Sequence, residues 1–373
     1  MKQTKTAIVS VINDLVTDQR VDRACRTLIK SGYDVLLIGR ILPQSLKIGK
    51  RAYSTKRMKL FFNQGPLFYL EYQIRLFFFL LFNKPQLLYA NDLDTLLPNY
   101  LISRLKSTKL IYDSHELFCE VPELIENPGK RKIWKALEKY LFPRLQNIIT
   151  VNQSIANIYQ EEYHKKLYIV RNIPIPRPIR LQLTRKELSL PIDKKIIILQ
   201  GAGINIDRGA EELVQAMKYI DNALLLIVGS GDVIEKLKEM RIELKLEEKV
   251  MITGKVPYEQ LANYTRIADL GLSMDKDTNL NYRYSLPNKL FDYIHASIPI
   301  LASPLVEISR IINDYQIGTI IKSHQPKHIA QAINSSFSNQ EQYALWKKNL
   351  IIAQQDLSWE KEEQQLLYCI DHA

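Results

Sequence analysis

Cysteine is scarce in this chain: there are three in 373 residues, Cys25, Cys119 and Cys369, with no Cys-x-x-Cys pair and no Cys/His cluster. That pattern argues against a disulfide-stapled secreted domain and a zinc module, and it suits a reducing compartment. Long apolar runs are lacking too. The most apolar stretch, residues 66–82, is broken by Glu71, Gln73 and Arg75, and its uninterrupted part, 76–82, is far shorter than the roughly 20 residues a membrane span needs. A buried or interfacial helix is expected there instead. The N-terminus runs directly into a buried-strand pattern at 6–12 without a cleavage-site signature, so no signal peptide is expected and the chain reads as cytoplasmic. No RNA-recognition strand, zinc module or helix-turn-helix is present, which argues against a nucleic-acid partner. Acidic residues are short only locally. Residues 1–60 hold thirteen Lys/Arg against four Asp, an excess of nine in a chain whose total is +11. An anionic membrane surface is the partner such a patch suggests; the alternative is a solvated basic face with no partner.

What is present reads as two α/β domains, since 373 residues exceed one ordinary core. A strand at 6–12, a helix ending near Gly32 and a strand at 34–39 form a βαβ unit. Asp18 and Arg20, in the polar segment between the first two, either cap that helix or contact a ligand. Residues 43–60 are basic and read as irregular. Strands at 86–90 and 109–112 end in Asn91-Asp92 and in Asp113-Ser-His-Glu116, and strand carboxyl ends are where open α/β sheets bind ligands. Residues 171–178 are proline-rich and extended, which suits a linker. A second βα array opens with a strand at 195–200, the loop Gly201-Ala-Gly-Ile-Asn-Ile-Asp-Arg-Gly209 and a helix over 210–220. Further strands at 223–231 and 249–257 end in turns, strands at 269–273 and 299–303 complete a largely parallel sheet, and two helices, 346–356 and 358–372, close the chain. The expected division is 1–172, a linker at 173–180, 181–355 and a terminal helix in 356–373.

Residues 285–303 are the stretch around which the second array is organised. Ser285 is read as an N-cap and Pro287 as a first-turn proline, which places Asn288 and Lys289 among free backbone N–H groups. Lys289 and Asp292, three apart, share a helix face, while Leu290, Phe291 and Ile294 point to the core. Positive charge and N–H donors suit phosphates, and a carboxylate suits ribose hydroxyls. The alternative is a surface ion pair on an amphipathic helix. In the loop ahead of it, Gly201 and Gly203 let the backbone approach a phosphate and Arg208 offers a planar donor fork.

These motifs resemble retaining glycosyltransferases of family 4, in a branch that carries Pro-Asn-Lys before the donor-site helix. Asp292, seven residues before Pro299, holds the place of a family glutamate; Tyr284 stands where a second glutamate is usual. Arg208-Gly209 takes the place of a phosphate-binding Lys-Gly, and Gly203 that of another basic residue. Residues 112–118, followed by 148–153, are similar to the family's acceptor-domain pattern, in which a histidine lies beside the transferred sugar; alone, His115 is as readily a structural hydrogen-bonder. The resemblance covers nearly the whole chain. It implies a GT-B fold, two Rossmann-like domains facing across a cleft with the last helix crossing back to the first.

The activity so implied is metal-independent transfer of a sugar, with retention, from a nucleoside-diphosphate sugar to a glycan or lipid-linked acceptor. The setting would be surface polysaccharide or lipopolysaccharide assembly at the inner face of the cell membrane. Arg208, Lys289 and the helix start at Asn288 would assist the leaving diphosphate, Asp292 would hold the ribose, and His115 the sugar. Gly201, Gly203, Gly209, Gly229, Ser230, Gly231 and Ser285 would complete the donor site, with Asp18, Arg20, Asp92 and Glu116 on the acceptor side. No cofactor is expected. The triplets Asp92-Leu93-Asp94 and Asp275-Lys276-Asp277 look like sugar-transferase metal motifs, but that metal site belongs to another fold. Two other functions share the pattern: a UDP-sugar 2-epimerase of the same fold, and an inactive partner of a transferase, suggested by Tyr284 and Gly203. The nucleobase, the sugar, the acceptor and the oligomeric state are not legible.

Overall fold

A computed structural model describes residues 5–16, 18–176 and 182–373. The chain forms two compact units, Met1–Asn172 with Glu360–Ala373, and Ile173–Trp359. Of the expected linker, residues 177–180 lie outside the described residues.

The first unit is built on strands β1 (Lys5–Asp14), β2 (Tyr33–Ile41), β3 (Ser54–Lys59), β4 (Leu87–Asn91), β5 (Lys109–Ser114), β6 (Asn147–Thr150) and β7 (Tyr168–Ile169). They pair in parallel in the order β3-β2-β1-β4-β5-β6-β7, with the order reversing between β1 and β4. β3 corrects the reading of residues 43–60 as irregular. Its sequence, Ser-Thr-Lys-Arg-Met-Lys, buries Met58 alone, so no apolar alternation marks it; a lysine-rich, exposed edge strand also discourages edge-to-edge association. Helix α1 (Gln19–Lys30) follows β1, capped by Asp18, whose Oδ1 accepts from the Val21 N–H at 3.1 Å.

Helix α2 (Gly65–Leu81) has apolar residues on both sides. Phe68, Tyr72, Leu76 and Leu80, spaced by four, are buried, whereas Leu67, Leu70, Ile74 and Phe78 are exposed. It packs beside α3 (Leu93–Lys106), which also exposes Leu101 and Leu105. Among the described residues no helix is long and apolar enough to cross a membrane.

The second unit contains β8 (Lys195–Gly201), β9 (Ala223–Gly229), β10 (Val250–Gly254), β11 (Leu270–Ser273), β12 (Ile300–Ala302) and β13 (Gly318–Ile320), parallel in the order β10-β9-β8-β11-β12-β13. Here the order reverses between β8 and β11. Ile196 and Ile198 enter one hydrophobic cluster and Ile197 and Leu199 the other, so the continuous apolar run of β8 reflects a sheet covered on both faces. Helices α4 (Ala210–Ala216), α5 (Asn288–His295) and α6 (Gln340–Asp356) belong to this unit. The final helix, α7 (Trp359–Asp371), returns to the first unit, as the resemblance implies. Its Glu363 accepts from Lys30 Nζ at 2.7 Å and from Thr27 Oγ1 at 2.8 Å, and its Glu362 pairs with Arg171 at 2.6 Å.

Candidate active site

In the second unit the polar groups gather at the switch between β8 and β11, where open α/β sheets bind ligands. The loop after β8 must lie tightly against the end of β11. Gly209 has φ +71° and an added Cβ would stand 2.3 Å from the Met274 carbonyl oxygen, so only glycine fits. That contact brings Arg208 beside Asp275. Arg208 Nη1 is 3.1 Å from Asp275 Oδ1, Lys289 Nζ is 3.4 Å from Oδ2, and the carboxylate is fully buried. Arg208 also lies over the Tyr282 ring, 4.3 Å from its centroid. Burial disfavours its charge, but Asp275 and Tyr282 outweigh that and hold its pKa above the ordinary value.

Pro287 is the cap position of α5, and its ring restricts Leu286 to extended backbone, so the helix starts at Asn288. This corrects the N-cap reading of Ser285, which lies outside the helix with its N–H on the Tyr282 carbonyl and its hydroxyl buried without a hydrogen bond among the described residues. Asn288 and Lys289 open the first turn, and their N–H groups lack intrahelical acceptors. Asp292, one turn later, accepts from Gln200 Nε2 at 3.0 Å.

The glycines divide into two kinds. Gly201 and Gly203 leave room for a side chain. Gly229, at φ +147°, is required by packing, because a Cβ would meet the Gly201 carbonyl oxygen at 1.8 Å; Gly231 meets Ile204 in the same way. The Ser230 N–H donates to the Gly201 carbonyl at 3.1 Å, tying the two loops together. Gly229, Ser230 and Gly231 therefore shape the glycine loop from behind.

In the first unit the cluster sits at the carboxyl ends of β4 and β5, beside the β1–β4 switch. His115 follows β5, with 18% of its side chain exposed. Its Nδ1 is 3.2 Å from Asp92 Oδ2, its Nε2 3.2 Å from Asn91 Oδ1 and 3.5 Å from Asp113 Oδ2, and its N–H donates to Asp92 Oδ1 at 2.9 Å. Burial alone would lower the imidazole pKa; Asp92 and Asp113 together raise it well above the ordinary value, which favours the imidazolium form. Asp92 has φ +59° and ψ 167°, a conformation sparsely used outside glycine, and strain of that kind collects at functional sites. Asp94 is buried with one oxygen unpartnered among the described residues, and burial, then the Asp92 charge, pushes its carboxyl well up.

Arg20, placed on the acceptor side by the resemblance, is buried. Its Nε and Nη2 donate to Asp113 at 3.1 and 2.6 Å and its Nη1 donates to the Val170 carbonyl at 2.7 Å, so three of its five N–H groups are engaged within the unit. Despite its burial, Asp113 is held ionised by Arg20 and His115, below the carboxylate range. Asp18 caps α1. Glu116, half-buried, follows His115 in the loop. Sequence reasoning passed over Asp113 and Gln200 and set Asp275 aside with its triplet; a carboxylate at a strand's carboxyl end was the available signal for both aspartates. Among the described residues no group of three or more His, Cys, Asp or Glu is arranged to hold a metal ion.

Residues 184–351 match the family described as glycosyl transferases group 1, and residues 18–173 match Glycosyltransferase Family 4. Together these two matches span most of the chain and mark it as a glycosyltransferase of GT-B fold. The transferase superimposes on sucrose-phosphate synthase from Thermosynechococcus elongatus with a TM-score of 0.79 at 16% identity, covering 99% of this chain and 98% of that one. Anabaena HepE in complex with UDP-glucose gives 0.74 at 14% identity, over 99% and 100% of the two chains. At such identity these likenesses carry the fold. A curated relative, the lipopolysaccharide core biosynthesis glycosyltransferase LpsD of Rhizobium meliloti (strain 1021), is 25% identical over 114 residues, 30% of this chain. The chain matches only a third (33%) of that relative's length.

Proposed function

We propose that this glycosyltransferase moves a hexosyl group, with retention, from a nucleoside-diphosphate sugar to a glycan acceptor, lipid-linked, in surface polysaccharide or lipopolysaccharide assembly. The observation that carries the reading is the pairing of Arg208 and Lys289 on one buried carboxylate at the start of α5. Two cations and the N–H groups of a helix start form a fixed positive site of the kind that stabilises a departing diphosphate, without a metal. The binding of UDP-glucose by HepE agrees with a nucleotide-sugar donor.

Asp292 would hold the ribose. The bracketing of His115 argues against its acting as a general base, because an imidazolium between two carboxylates has no lone pair for a hydroxyl proton. Its part would be electrostatic, a donor to the sugar, with a phosphate oxygen of the leaving group taking the acceptor proton in a same-face displacement.

Docking of the first unit on the anionic inner face of the cell membrane would bring it to a lipid-linked acceptor. The exposed side of α2 and its basic surroundings support this, although Arg20 and Arg23 are buried and Arg26, Lys30, Arg51 and Arg57 are engaged by carboxylates. Incubation with labelled UDP- and GDP-hexoses and a lipid-linked oligosaccharide fraction tests the reading. A glycosylated lipid with the donor's anomeric configuration supports it. Free sugar or an epimer formed without acceptor would replace it with the epimerase alternative, and no turnover would point to an inactive partner.

A further inference from the structure

One buried polar residue of the second unit has no part in the roles above. Gln200, 2% exposed at the carboxyl end of β8, engages both ends of its amide. Nε2 donates to Asp292 Oδ2 at 3.0 Å, and Oε1 lies 2.7 Å from Thr265 Oγ1, the shorter of the two contacts open to that hydroxyl's single proton, the other being the Leu261 carbonyl at 3.0 Å. A carboxylate only accepts, so the NH2 must face Asp292 and the carbonyl must face Thr265. The backbone is held as well: the Gln200 N–H lies 3.3 Å from the Tyr293 hydroxyl, which in turn donates to the Leu272 or Ile198 carbonyl at 3.1 or 3.3 Å. Tyr293 neighbours Asp292 on α5, so one residue grips the helix from two sides.

An amide this deep is costly to bury unless its partners are specific. A core position facing β11 and α5 would accept an apolar side chain, which calls for a reason to place glutamine there. We propose that Gln200 is a positioning residue for donor recognition: through the Thr265–Gln200–Asp292 chain it fixes the Asp292 carboxylate in the one orientation that meets ribose hydroxyls. The inference rests on the ribose role of Asp292. It also accounts for an aspartate, one methylene shorter than glutamate, serving at that place, since the strand supplies a fixed partner on its inner side.

Binding calorimetry with UDP and GDP, each beside its 2′,3′-dideoxy form, separates the two claims. For wild type the affinity ratio of the ribo to the dideoxy nucleotide should be roughly tenfold or more, the size of a hydrogen bond to a charged group. Asp292→Ala should bring the ratio near one. Gln200→Met, close in volume but unable to donate, should do the same while keeping affinity for the dideoxy nucleotide. Thr265→Val, which frees the amide to turn over, should lower the ratio partway, and it carries the test if Gln200→Met does not fold. A merely structural glutamine would lower the melting temperature and leave the ratio unchanged. If Asp292→Ala abolishes discrimination while Gln200→Met or Thr265→Val retains it, the positioning role is overturned and the ribose role stands. If wild type and Asp292→Ala discriminate equally, or neither nucleotide binds wild type, the ribose role fails and takes this inference with it.

Discussion

Lys289 is tied to Arg208 through a carboxylate both share: Asp275 presents Oδ2 to the lysine at 3.4 Å and Oδ1 to the arginine at 3.1 Å. Two cations that would otherwise repel are thereby held together before any ligand arrives. If they neutralise a leaving diphosphate, Arg208→Ala and Lys289→Ala should each lower turnover by about 10²–10³. Initial rates with the labelled donor check this, and near-wild-type turnover in both variants would sink the assignment.

Asp275→Asn keeps the volume and removes the shared counter-charge. Breaking a buried ion pair from one side costs about 3–5 kcal/mol, so the ligand-free variant should melt well below wild type. Pyrophosphate, by supplying the missing negative charge, should raise its melting temperature more than it raises that of wild type. Equal shifts would mean that the two cations do not face the phosphate site.

His115 provides a pH test with a definite sign. Its folded pKa is raised above the unfolded value of about 6.5, so the stability it contributes is fully present below that value and is lost as pH rises through the folded pKa. The stability difference between wild type and His115→Asn should therefore be largest at pH 5–6 and shrink in alkaline buffer; denaturant titrations across pH measure it. In parallel, His115→Ala should bind nucleotide normally and fail in transfer. Full transfer by that variant would return His115 to a structural role.

Membrane docking divides into a screened and an unscreened part. Each basic side chain near an anionic surface contributes about 1 kcal/mol, and the Debye length falls from about 10 Å at 0.1 M salt to about 3 Å at 1 M. The exposed Leu67, Leu70, Ile74 and Phe78 of α2 would supply the salt-resistant part; Phe68 is buried and cannot. In flotation assays, anionic vesicles should carry the protein at low salt, and Leu70→Glu with Phe78→Glu should remove what persists at high salt. No association with anionic vesicles at low salt rules the docking out.

Much of this architecture is legible one segment at a time. The continuous apolar run of β8 announces a strand buried on both faces, and Pro287-Asn-Lys ahead of an amphipathic stretch announces α5 to within a residue or two. The misses are physical as well. β3 buries one side chain and therefore has no period to detect, and Ser285 resembles a cap until the steric demand of Pro287 on Leu286 is taken into account. Composition and local pattern thus determined the order of elements, the parallel α/β class and the presence of Arg208, Lys289, His115 and Asp292 at loop and helix starts. Only the tertiary structure decided their partners. Arg20 meets Asp113 from 93 residues away because β1, β4 and β5 lie together in one sheet, and Arg208 meets Asp275 because β8 lies beside β11. Strand order places those charges together; it is set by how the whole set of helices and strands buries its apolar faces at once, which no local period encodes.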